Sequence, residues 1–299
     1  MDKNMRRIGR TWAGGLLARI AAGAGMALLA VGMLASPLAS AAVGNTKHNL
    51  GSTGTGVNKF DGTGEICVFC HTPHGAAITA VVPLWNRTMA TPSTYTTYNS
   101  LGTSSLDGMT APVGSVSLAC LSCHDGTQAM NVMINTPGSG TTTTLAGNWT
   151  GANQTLGVIA SGAITNLGKD LQSDHPVGIQ YAGGPKSGTV PAAGAAYGST
   201  LFKDADFKAA NSQELNGQPV WWVDTAAGTA GSREKTDMQL YTRTGMDSVK
   251  RDGTLVAGAI TGSQPFVECA SCHDPHSEEK TFLRIANTGS LVCLACHTK

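Results

Sequence analysis

Aromatic residues are scarce in this 299-residue chain, at 5%, and charged residues reach only 13%. Tracts such as Thr141–Thr144 and Ala192–Ala196 are too small or polar to add bulk, which excludes a dense conventional core over the whole length. Apolar patterning at the helical period is weak throughout, which excludes a helix bundle. The formal net charge is only +1, and without a basic excess no nucleic-acid partner is expected. Past residue 34 no apolar run approaches the roughly 20 residues of a membrane helix, so no stable membrane insertion is expected. Glycine, by contrast, is plentiful at 38 residues. The expected fold class is mostly coil with few short helices and strands, its buried apolar surface supplied largely by something other than side chains.

No cysteine is spare. All eight fall into one pattern: Cys67-Val-Phe-Cys70-His71 (motif I), Cys120-Leu-Ser-Cys123-His124 (II), Cys269-Ala-Ser-Cys272-His273 (III) and Cys293-Leu-Ala-Cys296-His297 (IV). In C-x-x-C-H two thiols add across the vinyl groups of a haem and the adjacent histidine becomes the proximal iron ligand. Zinc sites and redox dithiols also use C-x-x-C, and exported proteins carry disulfides. None of these needs a histidine directly after each second cysteine. The sequence therefore predicts four haem c groups, attached at Cys67, Cys70, Cys120, Cys123, Cys269, Cys272, Cys293 and Cys296, with His71, His124, His273 and His297 as proximal ligands. The porphyrins would supply the missing core, with polypeptide wrapped around a stacked haem chain.

Eight histidines less these four leave His48, His74, His175 and His276, one for each remaining axial position. The count points to bis-histidine ligation. Methionine is the alternative sixth ligand, and Met89, Met109, Met130, Met133, Met238 and Met246 keep it open. His74 and His276 each follow a proximal histidine by three residues with a proline between. That places them too near their own proximal side to cap the same haem, but able to reach a neighbouring one. His175 gives the long middle segment a reason to fold back onto a haem. Asp125 and Asp274, each directly after a proximal histidine, are read chiefly as turn formers.

Residues 1–42 read as a secretory signal peptide: a basic start at Lys3, Arg6, Arg7 and Arg10, an apolar run from Ile20 to Leu34, and a cleavage pattern at Ala39-Ser40-Ala41. Without it, 15 basic and 18 acidic residues leave a net of −3. Residues 43–299 then form a single tetrahaem domain: an N-terminal haem pair over 43–124, a Gly/Thr-rich middle over 125–268, and a C-terminal pair over 269–299. The motifs are separated by 48, 144 and 19 residues. Short helices are expected at Val116–His124 and Ser290–His297, and short strands at Val220–Val223, Met238–Tyr241 and Leu255–Val256. The shared C-x-x-C-H-x-P-H at Cys67–His74 and Cys269–His276, each followed by a plain C-x-x-C-H, marks an internal repeat.

On Lys47–Leu50, Cys67–His74, Leu121–Gly126, Asp174–Gly178, Glu268–His276, Phe282–Arg284 and Cys293–His297, the chain resembles the doubled-C-x-x-C-H multihaem cytochromes. It is most similar to tetrahaem subunits of extracellular cytochrome filaments. The resemblance implies electron transfer rather than catalysis, a secreted, cell-surface location, and a head-to-tail polymer in which one axial histidine, His74 or His48, is supplied in trans. Other cytochromes would donate electrons and extracellular acceptors would take them. A soluble periplasmic shuttle is the alternative, and a multihaem reductase a lesser one, because an enzyme needs an iron left open.

Overall fold

Short apolar runs broken by glycine leave the chain little choice but short elements, and the computed structural model bears this out. It describes residues 42–101, 106–138, 142–174, 176–187, 192–195, 197–249 and 255–298. Residues 1–41, on which the expected signal peptide falls, His175 and Lys299 lie outside the described residues. Residues 42–299 form one compact unit.

The first half is held by two-residue pairings: β1 (Lys59–Phe60) with β2 (Trp149–Thr150), and β3 (Gln154–Thr155) with β4 (Val158–Ile159). The largest element is a five-stranded antiparallel sheet in the order β5-β9-β8-β7-β6. Its strands are β5 (Ile179–Gln180), β6 (Asn211–Leu215), β7 (Gln218–Val223), β8 (Met238–Val249) and β9 (Leu255–Val267). Asn216 and Gly217 join β6 to β7 with φ of 51° and 73°, the backbone of a two-residue hairpin turn for which Asn-Gly is favoured. Strands β8 and β9 run 12 and 13 residues, longer than their apolar runs predict. Backbone pairing carries on beyond those runs, from Tyr241 opposite Phe266 to Val249 opposite Leu255.

The helices sit at the cysteine motifs. They are α1 (Ser115–His124), α2 (Cys269–Cys272) and α3 (Leu291–Cys296), while motif I occupies a 3-10 turn at Cys67–Phe69. Among the described residues no helix is long and apolar enough to cross a membrane.

In place of one core there are small apolar clusters, and three of them lie against cysteines. Phe60, Val68, Phe69 and Met133 pack with Leu50 and Cys70. Val113, Leu121, Leu171 and Val177 pack with Cys269. The largest, around Tyr181, Tyr197, Phe202, Trp221 and Met238, packs with Cys272 and Cys296. Two of the six candidate axial methionines, Met133 and Met238, are thereby committed to protein packing.

Candidate functional site

Each motif begins with one helical turn. The backbone N–H of the histidine donates to the carbonyl of the first cysteine at 2.8 Å for His71, 3.1 Å for His273 and 3.0 Å for His297. That bond puts both cysteines of a motif on one face, with the histidine a turn beyond the first. His273 and His297 then leave the helix in extended backbone.

The imidazoles are oriented by the main chain. Nδ1 of His71 lies 2.9 Å from the carbonyl of Pro83, that of His124 lies 2.8 Å from Thr165 O, and that of His273 lies 2.9 Å from Thr281 O. A carbonyl can only accept, so each Nδ1 carries the proton, which leaves Nε2 as the nitrogen turned to an iron, the arrangement an iron ligand requires.

The repeat extends well beyond the motif. Trp85 bridges to His71 as Leu283 bridges to His273. Asn86 N donates to Cys70 O at 2.8 Å as Arg284 N does to Cys272 O at 2.9 Å. Leu84 and Phe282 share a left-handed backbone, φ 56° and 59°. Asn86 fastens the first copy. Fully buried, its Nδ2 donates to Val68 O at 2.8 Å and Asn135 O at 2.9 Å, and its Oδ1 accepts from Asn135 N at 2.9 Å. Asn86→Ala orphans these groups, and a loss of about 2–3 kcal/mol is expected in thermal unfolding.

Two distal histidines meet two proximal ones across the fold. The His276 and His71 rings are 6.4 Å apart and nearly parallel, at 14°; those of His48 and His124 are 6.2 Å apart at 63°. Two imidazoles on opposite faces of one iron have ring centres about 6 Å apart, from two bonds of about 2 Å and a ring radius of about 1 Å. Both centroid separations match that span. His48 stacks on Phe282 at 4.0 Å. Burial, with His124 beside it, pushes its pKa down to about 4, so the ring is neutral and free to bind metal. His48 is thus engaged within its own chain, because its segment docks on the loop that follows motif III.

His74 is different. Its carbonyl is pinned by Thr72 Oγ1 at 3.0 Å and Asn135 Nδ2 at 2.7 Å, but the residue is exposed and its ring meets no other ring or charge among the described residues. His175 falls outside the described residues, though its neighbour Val177 packs with Cys269.

The thiols are arranged in series. Cys70 lies beside Cys123, Cys120 is within hydrogen-bonding reach of Cys269, and Cys272 faces Cys293. Motifs II and III therefore touch, with α1 packed on α2, although 144 residues separate them in sequence. Burial pushes Cys70 and Cys296 up to about 12 and Cys272 to about 11. Surroundings that hold a thiol neutral also suit a neutral thioether. Among the described residues no group of three or more His, Cys, Asp and Glu is gathered as a cage for a bare metal ion.

Asp274 does more than form a turn. Its Oδ1 accepts from the backbone N–H of His276 at 2.9 Å and lies 3.3 Å from that ring's Nδ1. The His276 side-chain bond holds the carboxyl down at about 2. A depressed carboxylate acts fully above its unfolded value of 3.8 and is lost as pH falls through about 2. Orientation of His276 should therefore persist down to about pH 4; an acid titration of its ring resonances checks this. Asp125 keeps the turn role, accepting from Thr127 N at 2.9 Å and from Tyr95 OH at 2.9 Å.

No curated protein matches the chain. Residues 264–299, which hold motifs III and IV, match the family described as the doubled CXXCH motif; this is the attachment signature of covalent c-type haem, and over that segment the chain is multihaem-cytochrome-like.

Proposed function

We propose that the chain is an electron conduit carrying four bis-histidine haems c and that it polymerises head to tail outside the cell. The observation that carries this reading is the pairing of His71 with His276 and His48 with His124 at 6.4 and 6.2 Å. Such pairs close both faces of an iron to substrate. Haem held there supplies reversible one-electron iron chemistry. The protein's part is to present Nε2, hold the rings and exclude water with the small apolar clusters. With motifs I to IV in series, electrons need only pass between neighbours.

The repeat supports an assignment for the other two irons. His48 precedes motif I, Leu50 two residues on packs against the same apolar cluster as Cys70, and the ring lies by His124 of motif II. His175 precedes motif III, Val177 two residues on belongs to the apolar cluster against which Cys269 packs, and by the same relation His175 would serve His297 of motif IV. His276, trailing motif III, serves motif I, two motifs earlier in the series. His74, trailing motif I, then serves a motif two earlier still, which is motif III of the preceding molecule. Around His74, Ile78, Val81 and Leu84 are 100%, 64% and 52% exposed. Leu84 holds the place in motif I's loop that Phe282 holds in motif III's, and Phe282 is the residue on which His48 stacks. A head-to-tail contact of this kind propagates as an open fibre.

The test is expression of the full chain in a host that attaches c-type haem. Intact mass should give a leaderless chain plus four haems, and electron microscopy of sheared surface material should give fibres containing it. Fewer than four haems, or single particles alone under native conditions, would overturn the reading.

A further inference from the structure

Three arginines lie near the motifs, and only one is both buried and without a counter-ion. Arg243, 4% exposed, pairs with buried Glu268. Arg284 is half-buried, faces Asp274, and donates to Ala270 O at 3.0 Å and Lys235 O at 2.6 Å. Arg87 is fully buried. Its Nη1 donates to Met130 O at 2.9 Å and Val132 O at 2.8 Å, and its Nη2 to Ser122 O and Ala129 O, both at 3.0 Å. Its Nε has no partner, and among the described residues no carboxylate lies within ion-pair distance.

Four carbonyls solvate such a charge but do not neutralise it, and a dry, unpaired charge is costly to bury. Its place gives it a use. Arg87 follows Asn86, which binds Cys70 O, and its guanidinium lies on Ser122, next to Cys123, so the cation sits between motifs I and II. At Cys123 its field outweighs that of Asp125, whose carboxylate is taken up by Tyr95 and Thr127.

Resting on the four-haem reading above, we infer that Arg87 sets the redox order of the chain, making the centres at motifs I and II easier to reduce than those at III and IV. One electron enters from a reduced one-electron carrier and passes to the next centre; no bond forms or breaks. A fixed positive charge in a poorly screened interior favours the state with one more electron. At motifs III and IV the corresponding charges are cancelled by Glu268, shared with Asp274 and solvent, or, for Lys208 near Cys296, carried on an exposed side chain that water screens.

The test is potentiometric titration of the haem-loaded chain, followed by absorption, for wild type, Arg87→Gln and Arg87→Lys. Wild type should reduce in two groups of equal amplitude. In Arg87→Gln the upper half should fall by at least tenfold in its reduced-to-oxidised ratio, about 59 mV for one electron, and Arg87→Lys should retain it. If the glutamine variant fails to fold, the wild type still decides: a buried charge is hardly screened, so the gap between groups should survive high salt. A single unresolved step, a gap that closes in salt, or a folded Arg87→Gln with four haems and unchanged potentials overturns the inference. Intact mass separates that outcome from failure of the four-haem reading, which would appear as missing haem.

Discussion

If the chain polymerises as proposed, replacing His74 by alanine should turn fibres into single molecules, each with four haems still attached and one iron open. Two independent readouts follow from this one substitution. Electron microscopy or light scattering should show loss of polymer, while the reduced protein should gain carbon monoxide binding at about one haem in four. His48→Ala and His276→Ala should open an iron each without dissolving the fibre, because their partners His124 and His71 are in the same chain. Thioether attachment, whether at Cys67 and Cys70 beside His74 or at Cys269 and Cys272 of the iron it would serve, does not involve His74, so haem content should be untouched. Leu84→Ser should act more gently on the same contact. Burying a leucine contributes about 1.5–3 kcal/mol, so the concentration needed to polymerise should rise roughly 10- to 100-fold. Fibres that persist in His74→Ala, or single molecules with every iron still closed, would sink the assignment.

The local shape of the motifs was legible in the sequence because chemistry fixes their spacing: C-x-x-C-H must place two thiols and one imidazole within a single helical turn, whatever the fold around it. The helix at motif II was legible for the same reason. The partners of the distal histidines were not. His48 reaches His124 by lying on Phe282, and nothing local to Lys47–Leu50 encodes a residue more than two hundred positions away. The depth of the repeat was also hidden. His71 bonds a carbonyl 12 residues on and His273 one only 8 on, so the loops differ in length although both close in the same way. Asn216-Gly217 was a local hairpin signal available to anyone reading turns, whereas the full length of β8 and β9 depends on pairing between the two strands, which neither run announces alone. Arg87 looked like any other arginine, since burial is a property of what surrounds a residue.

Glu268→Ala should lower the stability of the haem-loaded chain by about 3–5 kcal/mol, the cost of leaving a buried arginine without its partner. Glu268 is 1% exposed and ties three segments together. It accepts from Ser117 Oγ on α1 at 2.5 Å and from Arg243 Nε on β8 at 3.0 Å, with Arg243 Nη2 on the same oxygen. It also caps α2 through a reciprocal bond with Ser271. Ser117 Oγ in turn accepts from Cys269 N at 3.1 Å, so the network joins motif II to motif III at the point where Cys120 meets Cys269. Gly114 belongs to it as well: a Cβ there would come within 2.5 Å of Arg243 Nη1. Burial raises the Glu268 carboxyl against the pull of Arg243, a sign of how dry the junction is. For a domain of this size the loss corresponds to a fall in melting temperature of roughly 10 °C. The double variant Glu268→Leu with Arg243→Met, which removes both charges and keeps bulk, should recover most of it. Should the single and double variants melt together, the charge pair is not what holds the halves of the haem chain in register, and the apolar contacts of Leu121 and Val177 with Cys269 must do so instead.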